Sequence, residues 1–458
     1  MHNDPAVTGG AAKSAILALL TVTIAVLPLQ RQQADPAPPV GLEAIFQDGL
    51  LLQDRNGDGH IDHVAAQLLL GSAPSDRAVA AAANVAARLG FETSAMNLPL
   101  TTATEGVTIA IGRSATAQLA IPPDRLGADL EPGVGVVAVL DREAGPVLVV
   151  TGGDDVGTAA AATALAARAP HLWNPDGPTF HDVVSATGEV LGAAQIEAAS
   201  VRVTRFLVNH DTPGLHRLDV EVRVPEEMLG RAESALLQAA APDTAPAKLE
   251  AAAQEEQAGT AAQQPTSLRF DGLRLLRVYL AAVATEPLIL HVAGPENPPE
   301  SGSGRRPSGG DKTDLDLSNL FSTDGFLGDS DRNLIPDRVD VLLSAAGEAS
   351  GATADLAARI ALEATGVAIP IALPPEEIGD PEQQPPLVLI GGTHPLVEQL
   401  VDSGKLSIPE LQPGQGLIRV VPKAFDEKPA LVAVGADAAG LERAVRQVAE
   451  RFPNLWER

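Results

Sequence analysis

Two short acidic stretches carry the residue types that bind hard cations. The first, "DRNGDGHID" over residues 54–62, places side-chain oxygens at alternate positions of a glycine-rich turn. Calcium takes about six to eight oxygen ligands, and this spacing lets a single loop supply several of them. The candidate ligands of this loop are Asp54, Asn56, Asp58, the backbone carbonyl of His60, and Asp62.

The second stretch, "DSDRNLIPD" over residues 329–337, repeats this pattern. Its candidate ligands are Asp329, Asp331, Asn333, Asp337 and, at the twelfth position, Asp340. Each loop lacks one element of a complete calcium loop: Ala65 replaces the final acid of the first, and Leu334 replaces the turn glycine of the second. We expect structural calcium with a Kd of roughly 10⁻⁴ to 10⁻³ M. The alternative is a pair of Asx-turn loops whose carboxylates cap a helix or face water.

The two acidic loops resemble the calcium loops of thrombospondin type 3 repeats and of dockerins. The likeness covers about twelve residues in each loop, and the rest of those families is absent from the chain. It implies that any bound calcium would tie the loop to the strand that follows it and would not take part in catalysis.

Other catalytic patterns are missing from the sequence. It contains no cysteine, which excludes thiolate nucleophiles and iron–sulfur ligation, and neither H-E-x-x-H nor G-x-S-x-G occurs. The segment "VLVVTGGDDVGTAAAATA" has the strand, glycine turn and helix of a phosphate site, but Asp154 and Asp155 would repel an anion. We interpret these two residues, and Asp437 in a later copy, as helix N-caps. The sequence therefore favours a role without enzymatic activity.

The acidic loops belong to a larger internal repeat. Six segments recur in the same order at a spacing of 275 to 283 residues. The matched pairs are Phe46 with Phe321, Asp62 with Asp337, Gly112 with Gly391, Leu130 with Leu411, Gly152 with Gly435, and Arg168 with Arg451. The two tryptophans, Trp173 and Trp456, close the two copies. Ordered repetition of this kind indicates a duplicated module.

Hydrophobic periodicity predicts mixed strands and helices in each copy. In the first copy, the residues after the loop read as a strand, and Ser75 is placed to cap the Ala-rich helix that follows. We predict an α+β (mixed α/β) fold with two sheet-plus-helices modules flanking a β-rich middle domain. The predicted divisions are a signal peptide or anchor (1–40), module A (41–190), the middle domain with an Ala/Gln/Glu-rich insertion (191–294), a linker (295–318) and module B (319–458).

The N-terminus and the net charge constrain location and partners. Lys13 precedes about fifteen apolar residues and a Pro-rich exit, a pattern typical of a secretory signal, although the missing A-x-A site leaves an uncleaved anchor open. We expect an extracytoplasmic protein that is periplasmic, secreted or anchored, with membrane contact only through this segment. A formal net charge of -27 argues against nucleic acid as a partner.

The module order also resembles a non-catalytic α/β domain of glycoside hydrolases. The residues that carry this likeness are "VTIAIG" with "LVLIGG", and "VVTGGDDVGTAAAATALA" with "VAVGADAAGLERAVRQVA". Family 20 hexosaminidases and family 67 glucuronidases have such a domain at their N-terminus, and the periplasmic subunit of bacterial cellulose synthase has repeated modules that are broadly similar. In the hydrolases the domain is accessory to a catalytic barrel, for which this chain has no room.

These observations predict a non-enzymatic, extracytoplasmic binding or accessory protein. Its partner would be a saccharide or another protein of the cell envelope, with calcium as a structural ion. Two alternatives remain open: a carbohydrate-active hydrolase or its detached accessory part, and a structural subunit of a surface assembly. A hydrolase would have close carboxylates in a deep pocket, a binding protein would have a shallow groove, and an assembly protein would form a large species in solution.

Overall fold

The structure is a computed structural model. It describes residues 40–94, 97, 99–126, 130–172, 179–196, 200–211, 215–238, 266–270, 273–279, 288–293, 315–346 and 350–453. The predicted signal or anchor except its last residue, all but the last four residues of the predicted linker, and most of the Ala/Gln/Glu-rich insertion lie outside these ranges. None of the described helices combines the length and the apolar character that crossing a lipid bilayer requires.

Module A is a four-stranded mixed sheet with helices packed on it. Its strands are β1 (Leu52–Gln53), β2 (His63–Val64), β3 (Ala66–Leu69), β4 (Val107–Ile111), β5 (Val134–Leu140) and β6 (Val147–Gly152), and its helices are α1 (Asp76–Phe91), α2 (Gly112–Gln118) and α3 (Asp155–Ala167). The sheet order is β3-β4-β6-β5, with β3, β4 and β6 parallel and β5 antiparallel to β6. Strands β1 and β2 form a separate pair that carries the first acidic loop.

The β-rich middle region lies between the modules in sequence, as predicted, and its strands extend the sheet of module A. Its elements are α4 (Phe180–Ala193), β7 (Ser200–Asn209), β8 (Leu215–Arg223), α5 (Leu229–Gln238), β9 (Thr266–Phe270), β10 (Leu273–Tyr279) and β11 (Leu288–Ala293). Strand β7 pairs antiparallel with β5, which gives a nine-stranded sheet of order β3-β4-β6-β5-β7-β8-β11-β10-β9. Strand β5 at the edge of module A thus joins the middle region to the module A sheet through β7.

Module B repeats the topology of module A, which confirms the internal repeat. Its strands are β12 (Leu327–Gly328), β13 (Arg338–Val339), β14 (Leu342–Ala345), β15 (Leu387–Ile390), β16 (Gly416–Phe425) and β17 (Lys428–Gly435), and its helices are α6 (Ser350–Leu362), α7 (Pro395–Asp402) and α8 (Ala438–Arg446). The sheet order β14-β15-β17-β16 matches that of module A strand for strand, including the antiparallel last pair.

Matched local contacts confirm that the repeat extends to side chains. Arg88 on α1 lies over the ring of Phe46 at 4.4 Å and pairs with the residue four positions on, Glu92. Arg359 on α6 lies in the same way over Phe321, at 4.9 Å. Both arginines combine a cation–π contact with an i,i+4 ion pair, so each anchors its helix to the segment that precedes the acidic loop.

The two modules pack against each other through α1 and α6. Both helices are rich in buried alanine, and small side chains let helix backbones approach closely. A methyl group at Gly90 would overlap the backbone carbonyl of Ala358, so the contact needs glycine at that point. Residues of both modules share one continuous hydrophobic core, which includes Ala83 of α1 and Ala357 of α6.

A buried amide of module A supports a loop of module B. Asn84, on α1 and only 4 % exposed, accepts hydrogen bonds from the backbone N–H groups of Ile371 (2.9 Å) and Ala372 (3.0 Å). Its own amide nitrogen donates to the carbonyl of Ala372 at 3.0 Å. A buried polar side chain is stabilising only when its hydrogen bonds are made, and Asn84 makes three of them across the module boundary.

A buried carboxylate of module B supports a loop of module A. Asp355, on α6 and 1 % exposed, accepts from the backbone N–H groups of Leu100 (2.7 Å) and Thr101 (3.1 Å) and from the Thr101 hydroxyl (2.6 Å). Arg446 on α8 donates to the same carboxylate at 3.0 Å and so compensates its charge. Modules A and B are therefore joined by buried hydrogen bonds as well as by apolar packing.

Candidate functional site

The second acidic loop brings three carboxylates together. One oxygen each from Asp329, Asp331 and Asp337 lies within 4.8 Å of the others, which is close enough for one cation to contact all three. Asp329 accepts from the backbone N–H of Leu334 at 2.7 Å, and Asp337 accepts from the N–H and hydroxyl of Ser330. The loop therefore holds its acids in place with backbone donors, and each carboxylate keeps lone pairs that no donor occupies.

The pKa values of two of these acids are lowered. Desolvation acts to raise the pKa of Asp329, but hydrogen bonds from the N–H groups of Leu334 and Asn333 outweigh it. The hydroxyl and N–H of Ser330 lower the pKa of Asp337. Both groups are thus ionised at neutral pH, which is the state that a hard cation requires.

The first acidic loop has a hydrogen-bond pattern close to that of the second. Asp54 accepts from the N–H groups of Gly57 and Gly59, each at 2.7 Å, and the Gly59 bond is the main reason why its pKa is lowered. Asn56 and Asp58 accept from the N–H groups of Asp58 and His60, as Asx turns do. The second loop contains the same turns, with Asp331 and Asn333 accepting from the N–H groups of Asn333 and Ile335.

The two loops differ in the order of their charged and neutral ligand candidates. At a spacing of 275 residues, Asn56 corresponds to Asp331, and Asp58 corresponds to Asn333. The charged member that completes the triad in the second loop is therefore a neutral amide in the first. Asp62 accepts from the N–H of Arg55 at 2.9 Å, as Asp337 does from that of Ser330, so both copies close the loop in the same way.

Asp340, the predicted twelfth-position ligand, is not one of the three converging acids. Its side chain is 1 % exposed and pairs with Arg338 at 2.7 Å, beside strand β13. The acid therefore anchors the strand after the loop. His60 is exposed at the first loop, with its N–H bonded to Asp58.

Each glycine-containing turn before the last helix of a module places an aspartate at the N-cap of that helix. Asp154 accepts from the N–H of Gly157 at 2.7 Å and from that of Gly133 at 3.0 Å, which lowers its pKa. Asp437 makes the matching bonds to Gly440 and Gly414, so these two N-cap predictions are confirmed. The same prediction for Asp155 is wrong, because Asp155 is the first residue inside α3.

A polar cleft lies at the start of α1 and α3, beyond the carboxyl ends of the parallel strands of module A. Its volume is about 440 Å³, and it is lined by Ser75, Asp76, Arg77, Arg113, Asp154, Asp155, Val156 and Glu376. Glu376 belongs to module B, so both modules border the cleft. In open α/β sheets, ligands bind outside the carboxyl ends of the strands, which is where this cleft lies.

The charged groups of the cleft are arranged in pairs. Arg77 bonds to Glu376 at 3.0 Å and also to Glu377, and Arg113 lies 3.4 Å from Asp155. The side chain of Arg113 is 59 % exposed and that of Glu376 is 52 % exposed, so the cleft opens widely to solvent. It therefore offers both donors and acceptors to a ligand without a deep enclosed pocket.

The acids whose pKa is raised lie outside the cleft. Burial raises the pKa of Glu43, which accepts from the N–H of Val203, and the pKa of Asp355 at the module boundary. Burial lowers the pKa of His394 to about 4, and this ring accepts the N–H of Leu396 at the start of α7. Each of these three groups has a structural task in the fold.

The cleft was missed by the sequence reasoning. The helix caps Ser75 and Asp154 were recognised individually, and their nearness depends on β3 and β6 lying in one parallel sheet. Arg113 follows the "IAIG" strand and could have been found from the rule that ligands bind at such strand ends. Glu376 carries no signal in its local sequence, because it comes from the other module.

No protein-family model matches this chain, and no curated protein matches it.

Proposed function

We propose that this chain is an extracytoplasmic, non-enzymatic binding protein whose open cleft between α1 and α3 holds a saccharide. The observation that carries the proposal is the set of charged pairs, Arg77 with Glu376 and Arg113 with Asp155, at one solvent-open cleft bordered by both modules. Sugar hydroxyls both donate and accept hydrogen bonds, so they match a surface that alternates guanidinium and carboxylate groups.

The chemistry of the cleft favours binding over hydrolysis. Glycoside hydrolysis uses two carboxyl groups, one of them a general acid with a raised pKa. Within the cleft, the Asp154 pKa is instead lowered by the backbone N–H of Gly157, and its carboxylate is committed to helix capping. A hydrolase remains the alternative function, and an assembly subunit is the other.

The proposed location rests on the N-terminal sequence. The apolar run after Lys13 and the absence of cysteine fit an exported protein that needs no disulfides. An acidic protein with a net charge of -27 is poorly suited to nucleic acid, whereas an uncharged saccharide meets no such repulsion.

We also propose that the second acidic loop binds one calcium ion in a structural role. The converging carboxylates of Asp329, Asp331 and Asp337 support this assignment, and the ion would join the loop to the strands on either side. The matching first loop lacks the third converging acid, so the proposal concerns the second loop alone.

A glycan array probed with the full chain, in millimolar calcium, tests the saccharide proposal. We expect a reproducible hit whose affinity falls about tenfold or more in Arg113→Ser, because a hydrogen bond to a charged group contributes about 1.5–3 kcal/mol. Arg125→Ser is the matched control, since Arg125 is also exposed but lies outside the cleft.

Three outcomes would contradict the saccharide proposal. An array without hits would remove its support, and a hit that Arg113→Ser leaves unchanged would place the ligand elsewhere. Cleavage of the bound glycan during prolonged incubation would replace the binding role by the hydrolase alternative.

A further inference from the structure

The first six residues of β16 in module B correspond to the last six residues of β5 in module A, but the two strands have different neighbours. The outer edge of β5 pairs with β7 over Val134–Ala138. The corresponding residues of module B are 415–419, and β16 is the last strand of its sheet in the described part of the chain. The same module therefore accepts an antiparallel strand in one copy, and among the described residues no strand pairs with the equivalent edge in the other.

The side chains next to this edge are less exposed in module A than in module B. In module A, Val137 and Val139 are 0 % and 4 % exposed, because Phe206 of β7 and Phe180 of α4 pack in the same core. Their counterparts in module B, Ile418 and Val420, remain half-buried. A strand added at β16 would bury apolar surface that the equivalent strand of module A already buries.

Protection against pairing is confined to the second half of β16. Pro422 has no backbone N–H, Lys423 is exposed and charged, and the register shifts between Val421 and Phe425. Proline, lysine and bulges are the devices by which proteins keep edge strands from pairing. The half that corresponds to the paired part of β5, residues 415–419, has none of these three devices.

The charges of the edge indicate the chemistry of its partner. Ala138 of β5 faces Arg205 of β7, and the counterpart of Ala138 in module B is Arg419. All three lysines in the described ranges, Lys405, Lys423 and Lys428, lie on β16 or β17 or bond to them. Lys423 pairs with Glu427 at 2.6 Å, so the positive group within residues 415–419 is Arg419, which also donates to the carbonyl of Ser407 at 3.1 Å. Opposite Arg419, an added strand is favoured by an acid.

We infer that residues 415–419, of which Gly416–Arg419 belong to β16, form a docking edge for an extended, acidic protein segment that adds as an antiparallel strand. The register of β7 on β5 gives the pattern of the segment: an acid opposite Arg419, then three apolar residues opposite Ile418, Leu417 and Gly416, then a polar residue. Main-chain hydrogen bonds would supply affinity, and the acid would supply specificity. This edge is separate from the saccharide cleft, and the inference does not depend on that proposal.

Two labelled peptides and a charge exchange test the docking edge. One peptide has the sequence of residues 200–209, and the other has the same sequence with Arg205→Glu. Fluorescence anisotropy with the full chain should show the Arg205→Glu peptide binding roughly fivefold more tightly, since a cross-strand charge pair is worth about 0.2–1 kcal/mol and the unchanged peptide adds repulsion. The Arg419→Glu chain should reverse this preference.

Lys423→Glu is the matched control, because it makes the same charge change on the same strand outside residues 415–419. It should retain the wild-type preference for the Arg205→Glu peptide. Absence of peptide binding, or a preference that Arg419→Glu leaves unchanged, would overturn the inference. Sedimentation of the wild-type chain as a dimer that Arg419→Glu dissociates would also overturn it, because a second copy would then be the occupant.

Discussion

Asn84 and Asp355 are counterparts in the two modules, and each holds a loop of the other module. They lie 271 residues apart, and so do the residues that they bind: Leu100 corresponds to Ile371, and Thr101 corresponds to Ala372. The two contacts are therefore equivalent, and a local two-fold relationship between α1 and α6 links them.

Removal of the Asn84 amide should destabilise the whole chain. Asn84→Ala leaves the buried N–H groups of Ile371 and Ala372 without their acceptor, and each such group costs about 1–3 kcal/mol. We expect the free energy of unfolding, measured by urea denaturation, to fall by about 2–4 kcal/mol. The control Asn56→Ala, in the exposed first loop, should change it by much less. Equal losses in both variants would contradict this role for Asn84.

The charge of Asp355 should make stability depend on pH. Burial raises the pKa of Asp355 in the folded state, so folding favours its protonated form. The resulting stability is fully present below the unfolded pKa of about 3.9 and is lost as the pH rises through the folded pKa. Asp355→Asn keeps an acceptor oxygen for Leu100 and Thr101 but does not titrate.

Unfolding free energies of both proteins should therefore be compared across this pH range. The stability of the wild type relative to Asp355→Asn should decrease as the pH rises and should level off above the folded pKa. A relative stability that increases with pH would show that Arg446 outweighs burial and lowers the Asp355 pKa.

The close contact of α1 with α6 should make Gly90 intolerant of a methyl group. Gly→Ala in a helix normally stabilises by up to about 1 kcal/mol. At Gly90 the methyl would overlap the carbonyl of Ala358, so we expect Gly90→Ala to destabilise. Gly188→Ala is the matched control, because Gly188 lies exposed inside α4 with open space around it. Stabilisation of both variants in thermal denaturation would contradict the tight contact.

Calcium should stabilise the chain through the second acidic loop. At a calcium concentration ten times the Kd, binding to the folded state adds about 1.4 kcal/mol and raises Tm. Asp331→Asn replaces a charged ligand by a neutral one, as in the first loop, and it should reduce the calcium-dependent rise in Tm measured against a chelator. Asp58→Asn in the first loop should preserve the rise. A rise that Asp331→Asn leaves unchanged would place the ion elsewhere.

The repeat and its helix caps could be predicted from the sequence, because they depend on local spacing. The Asp154 and Asp437 caps follow from a short side chain placed before a helix, and the structure shows both. Which acids converge in the loop was harder to predict. Asp340 stands at the expected position along the chain, but its buried carboxylate pairs with Arg338.

The contacts between modules could not be predicted, because their partners are hundreds of residues apart. Asn84 falls inside an alanine-rich helix and gives no local sign that its acceptor faces Ile371. The shared edge of β5 and β7 was missed for the same reason: alternation in β7 predicts a strand but does not specify its neighbour.

The reciprocity of Asn84 and Asp355 resembles an isologous dimer contact, in which the same surface patch is used on both subunits. Here one chain supplies both halves, and the tether keeps each half at a high effective concentration near the other. In a dimer one sequence supplies both patches, so each substitution changes both. In this chain the two patches are separate segments, and each can change independently of the other. Asn84 is neutral and makes its contact alone, whereas Asp355 is an acid supported by Arg446, and the two halves have become non-interchangeable parts of one protein.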